Sequence, residues 1–206
     1  MSKVGAVILA AGMSKRMGEP KIFVDFHGKP LFLHSVECAL HSDLSPILIV
    51  GGEHTVAIRE HTKELPIKII DNPNYQDGIA TSLKLGIEAM KHQVDAVMVF
   101  LADQPFLPPM LIERLLQYYQ MNQEKGIRIV RPRYSGVPGH PVLIDAEIFS
   151  EFFHLMGDEG GRSIIKKHQQ ELMVVDVENP IWGVDLDTPD DVKKYKNIFP
   201  ILNWKN

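Results

Sequence analysis

Short apolar runs alternating with helix-period segments constrain this chain more than any other feature. Runs at 4–10, 46–50, 67–70, 96–101 and 127–130 are rich in Val and Ile and end at turn residues. Unbroken apolar runs of that length fit strands covered on both faces, because a half-exposed strand alternates polar and apolar residues. Between them lie helical patterns at 31–40, 54–64, 79–91 and 109–120. The last of these places Ile112, Leu115, Leu116 and Tyr119 on one stripe at i, i+3, i+4 and i+7. Alternating strands and helices pair in parallel through right-handed crossovers. The expected fold class is α/β: a three-layer α/β/α sandwich with a mostly parallel sheet, Rossmann-like. Ligands of such sheets bind outside the carboxyl ends of the strands.

The pattern changes after residue 130. Residues 131–141 read as a loop, with three prolines and two glycines. A strand at 142–144, helices near 146–153 and 162–169, and an alternating strand at 171–177 follow. Thr188-Pro189-Asp190-Asp191 marks a helix start, with Thr188 as N-cap and acids in the first turn. From Phe199 onward an extra turn or a frayed tail is expected. With 206 residues and roughly 100–200 residues per domain as a guide, one domain over 1–206 is expected. Its halves divide near residue 130.

The first strand runs into Ala10-Ala11-Gly12-Met13-Ser14-Lys15-Arg16-Met17-Gly18-Glu19-Pro20-Lys21. Free N–H groups in such a loop form an anion cradle, and glycine lets a ligand approach the backbone. Lys15, Arg16 and Lys21 add positive charge, so the loop suits a nucleoside triphosphate. It is neither of the two commonest phosphate loops. Five residues separate Gly12 from Gly18 and no Gly-Lys-Ser/Thr follows, and the three glycines of the dinucleotide fingerprint are absent.

Asp103 follows the 96–101 run, at a strand's carboxyl end. A hard divalent cation binds through one or two carboxylates plus substrate phosphates, a role open to Asp103 beside that of an ordinary turn aspartate before Pro105. Asp185 and Asp187 share one side of an extended backbone. Either one completes such a site with Asp103. Asp185 is favoured, because Asp187 also suits capping of the next helix. Gly78 allows close backbone approach, and Thr81 and Ser82 fall in a helix's first turn, facing a base or ribose or serving only as caps. Tyr75 and Trp182 are expected in packing roles more than in stacking on a ligand. The stretches 135–141 and 157–162 are candidate acceptor loops. Arg162 opens a helix, where a cation is unfavourable unless an anion accompanies it. His140 is a binding histidine before it is a proton donor.

Composition limits the alternatives. The net charge of −4 argues against a nucleic-acid binder, and no apolar run nears the roughly 18 residues of a membrane span. Cys38 is the single cysteine, which excludes an internal disulfide and suits a reducing, cytoplasmic setting. It falls on an apolar helix face as a small hydrophobe. The first residues enter a strand without a signal-peptide layout.

Leu9 to Lys21 resembles the nucleotidyltransferase signature L-A-A-G-x-S-x-R-M-G-x-x-K, matching at every fixed position of its thirteen residues. With the later motifs, the chain resembles the molybdenum cofactor nucleotidyltransferases from Leu9 to Asp191. Ala11, Ser82 and Gln104 are similar to the cytidylyl branch of that family, whose guanylyl branch carries L-A-G-G and D-M-P instead. Gly161 is a minor departure, since alanine often precedes the arginine there. The resemblance implies transfer of CMP from CTP to the terminal phosphate of molybdopterin. It implies Arg16, Lys21 and Asp103 as catalytic residues. Leu9, Ala10, Ala11, Gly12, Ser14, Gly78, Ser82, Gln104, His140 and Arg162 are implied for binding, and Asp103, Asp185 and Asp187 for Mg²⁺ or Mn²⁺. On this reading residues 1–130 bind the nucleotide and 131–206 the acceptor. The client is a molybdoenzyme such as xanthine dehydrogenase, in a purine-catabolic context. Rival readings are a guanylyl- or sugar-1-phosphate nucleotidyltransferase and a non-catalytic carrier of the molybdenum cofactor.

Overall fold

The computed structural model describes residues 2–12 and 20–197. In chain order the strands are β1 Val4–Ala10, β2 Asp25–Phe26, β3 Lys29–Pro30, β4 Ile47–Gly51, β5 Lys68–Asp71, β6 Ala96–Leu101, β7 Ile129–Tyr134, β8 Val137–Pro138, β9 Val142–Asp145 and β10 Leu172–Val177. The α-helices are α1 Phe32–Leu40, α2 Thr55–His61, α3 Ile79–Met90, α4 Pro109–Asn122, α5 Phe149–Phe152, α6 Arg162–Lys167 and α7 Pro189–Lys196. The main sheet runs β10-β7-β9-β6-β1-β4-β5, with β8 against β7, while β2 and β3 form a small antiparallel ribbon.

All seven residues of β1 are buried, and its side chains divide by parity. Val4, Ala6, Ile8 and Ala10 join a cluster with residues of α1, α2 and α4, including Val36, Ile58 and Leu115. Val7 and Leu9 join the opposite one, with Leu83 and Ile87 of α3, Phe152 of α5 and Ile164 of α6. An apolar side chain on each face is what burial from both sides demands. A third cluster of Phe26, Leu31, Phe106, Leu186 and Val192 ties α7 to the ribbon.

β1 is parallel to β4 and β6, β4 to β5, and β7 to β10. β9 is antiparallel to both β6 and β7. The loop expected at 131–141 gives way to strand at its start. β7 continues to Tyr134, turns at Ser135-Gly136 with φ of 47° and 86°, and returns as β8. A two-residue turn with two positive φ angles matches the twist of a hairpin. The strand survives Pro132 because β10 pairs along all six of its residues, whereas β9 pairs only with Ile129 and Val130. Three residues later β9 continues in the direction of β8 along the same edge of β7, so the chain returns by a hairpin and not by a parallel crossover.

The expected helix start at Thr188 forms a capping box. The Asp191 N–H donates to Thr188 Oγ1 at 3.1 Å and the Thr188 N–H to Asp191 Oδ2 at 2.9 Å. The segment 146–153 is shorter as helix than expected, a 3-10 turn over Ala146–Ile148 followed by α5. The tail from Phe199 lies outside the described residues. Among those residues no helix is long and apolar enough to cross a membrane. Cys38 is 1% exposed, and burial pushes its thiol pKa up, as suits an inert core side chain.

Candidate active site

Two adjoining cavities open at the carboxyl edge of the sheet. The first, about 420 Å³, is lined by Ala10 at the end of β1, Ala11 and Gly12 beyond it, Tyr75 and Gly78 just before α3, Ser82 in its first turn, and Lys21, Asp103 and Asp187. Lys21 Nζ donates to Asp103 Oδ2 at 2.6 Å and to Asp187 Oδ1 at 2.7 Å. Burial by itself lowers the lysine pKa, but the charges and hydrogen bonds of the two aspartates outweigh it and leave it raised. Lys21 is therefore an ammonium at neutral pH.

The backbone holds this trio in place. Ser35 Oγ of α1 donates to Leu101 O at 2.8 Å, clamping the end of β6 just before Asp103. The Leu186 N–H donates to Asp103 O at 3.0 Å, bringing 185–187 alongside. Leu186 is fully buried, so Asp185 and Asp187 both face the cleft, as alternation requires. They reach different cavities. Asp187, rather than the Asp185 favoured from sequence, shares Lys21 with Asp103. Asp185 Oδ1 instead accepts Gln104 Nε2 at 2.7 Å. Burial, then the charge of Asp103, pushes the Asp185 carboxyl pKa up to about 6.

Among the described residues no three His, Cys, Asp or Glu side chains gather as a ready metal cluster. The Asp103–Asp187 pair nevertheless fits a hard cation. Its donors are all carboxylate oxygens, Lys21 already occupies the cationic position between them, and Asp103 Oδ1 is buried with no hydrogen-bond partner.

The second cavity, about 780 Å³, is lined by Gln104, Arg131, Tyr134, His140, Arg162 and Asp185 over an apolar floor that includes Leu83, Val142 and Phe152. Leu9, Ile79, Leu101 and Asp158 line both cavities and mark where they meet. Arg131 Nη2 donates to Gly139 O at 3.1 Å, while its Nε is buried without a partner. Burial, then the charge of Arg162, lowers the Arg131 pKa. Burial and both arginines push His140 down to about 4, so it is neutral at physiological pH. Two guanidiniums on one wall, without a carboxylate partner among the described residues, make this cavity receptive to an anion.

The structure thus brings Leu9, Ala10, Ala11, Gly12, Lys21, Gly78, Ser82, Asp103 and Asp187 to the first cavity, and Gln104, His140, Arg162 and Asp185 to the second. Ser14 and Arg16 lie outside the described residues. Gly78 is approached by protein: with φ +101°, its ideal Cβ would stand 2.2 Å from the Gly157 backbone. Arg131 was missed because it sits in a stretch whose prolines and glycines read as loop. Asn72, whose Nδ2 donates to Ser82 Oγ at 2.9 Å on the wall of the first cavity, was missed because a buried asparagine after a strand carries no sequence signal of its own.

An α/β sheet whose carboxyl edge carries a lysine between two carboxylates, beside a basic second cavity, defines an enzyme that handles phosphates. The model of the MobA-like NTP transferase domain matches residues 6–172, and the chain belongs to that family of nucleotidyltransferases. It is 27% identical over 196 residues to a molybdenum cofactor cytidylyltransferase of Escherichia coli, covering 93% of this chain and 94% of the relative. It is 28% identical over 198 residues to nicotine blue oxidoreductase of Paenarthrobacter nicotinovorans, covering 92% and 94%. The crystal structure of Rv0371c from Mycobacterium tuberculosis H37Rv shares the fold, with a TM-score of 0.80 at 22% identity over 95% of this chain and 98% of that one.

Proposed function

We propose that this protein transfers CMP from CTP to the terminal phosphate of molybdopterin, giving molybdopterin cytosine dinucleotide and pyrophosphate. The observation that carries the reading is Lys21 held between Asp103 and Asp187, at the end of the L-A-A-G loop and next to a cavity lined by two arginines that have no carboxylate partner among the described residues. Residues 1–130 supply the nucleotide site and residues 131–206 most of the acceptor site.

The acceptor phosphate is ionised at neutral pH, so its oxygen attacks the α-phosphorus in line without a general base. A new P–O bond forms as the bond to pyrophosphate breaks. Positioning and charge neutralisation therefore carry the rate. Gly12, with Ser14 and Arg16 beyond it, holds the triphosphate. Lys21 leaves the carboxylates for the α-phosphate or the leaving pyrophosphate. Asp103 and Asp187 would hold Mg²⁺ or Mn²⁺, which would supply charge neutralisation for the phosphates. Asp185 adds negative charge behind that pair. Arg131 and Arg162 bind the anionic acceptor, with neutral His140 as a hydrogen-bonding neighbour. The product serves a molybdoenzyme such as xanthine dehydrogenase, in the cytoplasm.

The test is pyrophosphate release with Mg²⁺ and molybdopterin, supplying CTP, GTP and ATP in turn. Release with CTP alone is expected. Release with GTP keeps the chemistry and overturns the base assignment. Pterin binding without release from any nucleotide makes the protein a carrier. Reduction of nicotine blue without release aligns it with the oxidoreductase relative.

A further inference from the structure

One hydroxyl on the wall of the first cavity has its direction settled by its neighbours. Asn72 follows β5 and is 1% exposed. Its Oδ1 accepts the Asn74 N–H at 3.0 Å, which fixes the orientation of the amide. Its Nδ2 then donates to Thr81 Oγ1 at 2.8 Å and to Ser82 Oγ at 2.9 Å. The Thr81 hydroxyl has carbonyl acceptors in Gly78 at 2.9 Å and Asn74 at 3.0 Å. Ser82 has one proton and no protein acceptor for it among the described residues, while its oxygen already accepts from Asn72. A hydroxyl used as acceptor by an amide must send its proton elsewhere. Ser82 is 3% exposed and lines the cavity, so the proton is aimed into it.

We propose that Asn72 is a positioning residue for base selection, holding the Ser82 hydroxyl as a donor toward the ring acceptor N3 of cytosine. The inference rests on the cytidylyltransferase reading and goes beyond it by naming the atom that is read and the residue that sets the polarity. Cytosine offers O2 and N3 as acceptors. O2 lies beside the ribose, which must reach the Gly12 loop, whereas a nearly buried serine meets the far edge of the base. Uracil presents N3–H at that place and guanine N1–H. Donor then faces donor, and both are left buried and unpaired.

The test compares CTP with UTP and with 3-deaza-CTP, in which C–H replaces N3, as substrates of the wild type, Asn72→Asp and Ser82→Ala, with thermal melts to confirm folding. In Asn72→Asp a carboxylate oxygen replaces Nδ2, takes the Ser82 proton and turns a lone pair toward the base. The wild type is expected to prefer CTP over both analogues by about tenfold or more in kcat/KM, the loss of one well-placed hydrogen bond. Asn72→Asp should raise the KM for CTP by about tenfold while kcat changes little, and should bring the CTP-to-UTP ratio toward one. Ser82→Ala should erase the difference between CTP and 3-deaza-CTP, and adding Asn72→Asp to it should change nothing more, because the two act as one unit. If Asn72→Asp does not fold, Asn72→Ala takes its place: it frees the Ser82 hydroxyl to rotate, and the preference for CTP over UTP should fall. Unchanged ratios in folded variants, or equal wild-type use of CTP and 3-deaza-CTP, overturn the role of Asn72 alone. A wild type that uses no CTP overturns the cytidylyltransferase reading and this inference with it.

Discussion

Gly78→Ala tests how the start of α3 is held against the 157–161 loop. Gly78 has φ 101° and ψ 170°, a region that a side chain enters at about 1–3 kcal/mol. A Cβ there would stand 2.2 Å from both C and O of Gly157. The obstacle is backbone, so the loop must retreat by more than an ångström to reach ordinary contact. That retreat breaks the bond from the Ala80 N–H to Gly157 O, now 3.0 Å, worth about 1 kcal/mol. The sum is about 2–4 kcal/mol, or a fall in Tm of roughly 4–16 °C for a chain of this size. Gly12→Ala is the control. Its Cβ meets nothing within 4 Å among the described residues, so its Tm should stay within about 1 °C of wild type while the methyl group intrudes on the nucleotide and raises its KM. Thermal melts followed by circular dichroism, with KM for CTP measured on each variant, separate the two. A Gly78→Ala protein that melts with the wild type would show that the loop parts from α3 without cost and refute the argument.

Lys21→Met should lower kcat by about 10²–10³, the usual loss on removing one preorganised charge from a transition state; near-normal pyrophosphate release would end its catalytic role. Arg131→Met should raise the acceptor KM about 10–100-fold through loss of a charged hydrogen bond, leave the KM for CTP unchanged, and leave Tm the same or higher, because a buried guanidinium without a carboxylate partner among the described residues is removed. An acceptor KM unmoved by that change would place the anion elsewhere. Burial lowers the His34 pKa from 6.5 to about 4, so the fold favours its neutral form. Its contribution is complete above pH 6.5 and is lost as pH falls toward 4. Wild type should therefore lose about 3 kcal/mol more than His34→Gln between pH 7 and pH 4 in urea unfolding; parallel losses in the two proteins would contradict the assignment.

How far the sequence could be read follows from the range over which each signal acts. β1 and β6 were legible to the residue because a strand covered on both faces must be apolar throughout, and Val4–Ala10 and Ala96–Leu101 are. The α7 start was legible because a capping box is made by four consecutive residues. β7 was cut short in the reading because Pro132 and Gly136 resemble loop punctuation locally. What keeps the strand is β10, more than forty positions further on, pairing residue by residue from Leu172 to Val177. The site divides in the same way. Gly12 and Asp103 stand where a strand end puts them and Lys21 closes the same short signature, so local sequence sufficed to place all three at the first cavity. Asp185 was favoured over Asp187 because Asp187 also suits capping; which side chain meets Gln104 and which meets Lys21 is set by those partners. Those partners come from two other segments, so the choice becomes visible only when β1, β6 and the 184–187 segment share one edge. Asn72, Arg131 and the Gly157 contact belong to that same group. Each acts on a residue brought near by packing, and each shows itself as an orphaned proton, an unpaired charge or a forbidden Cβ.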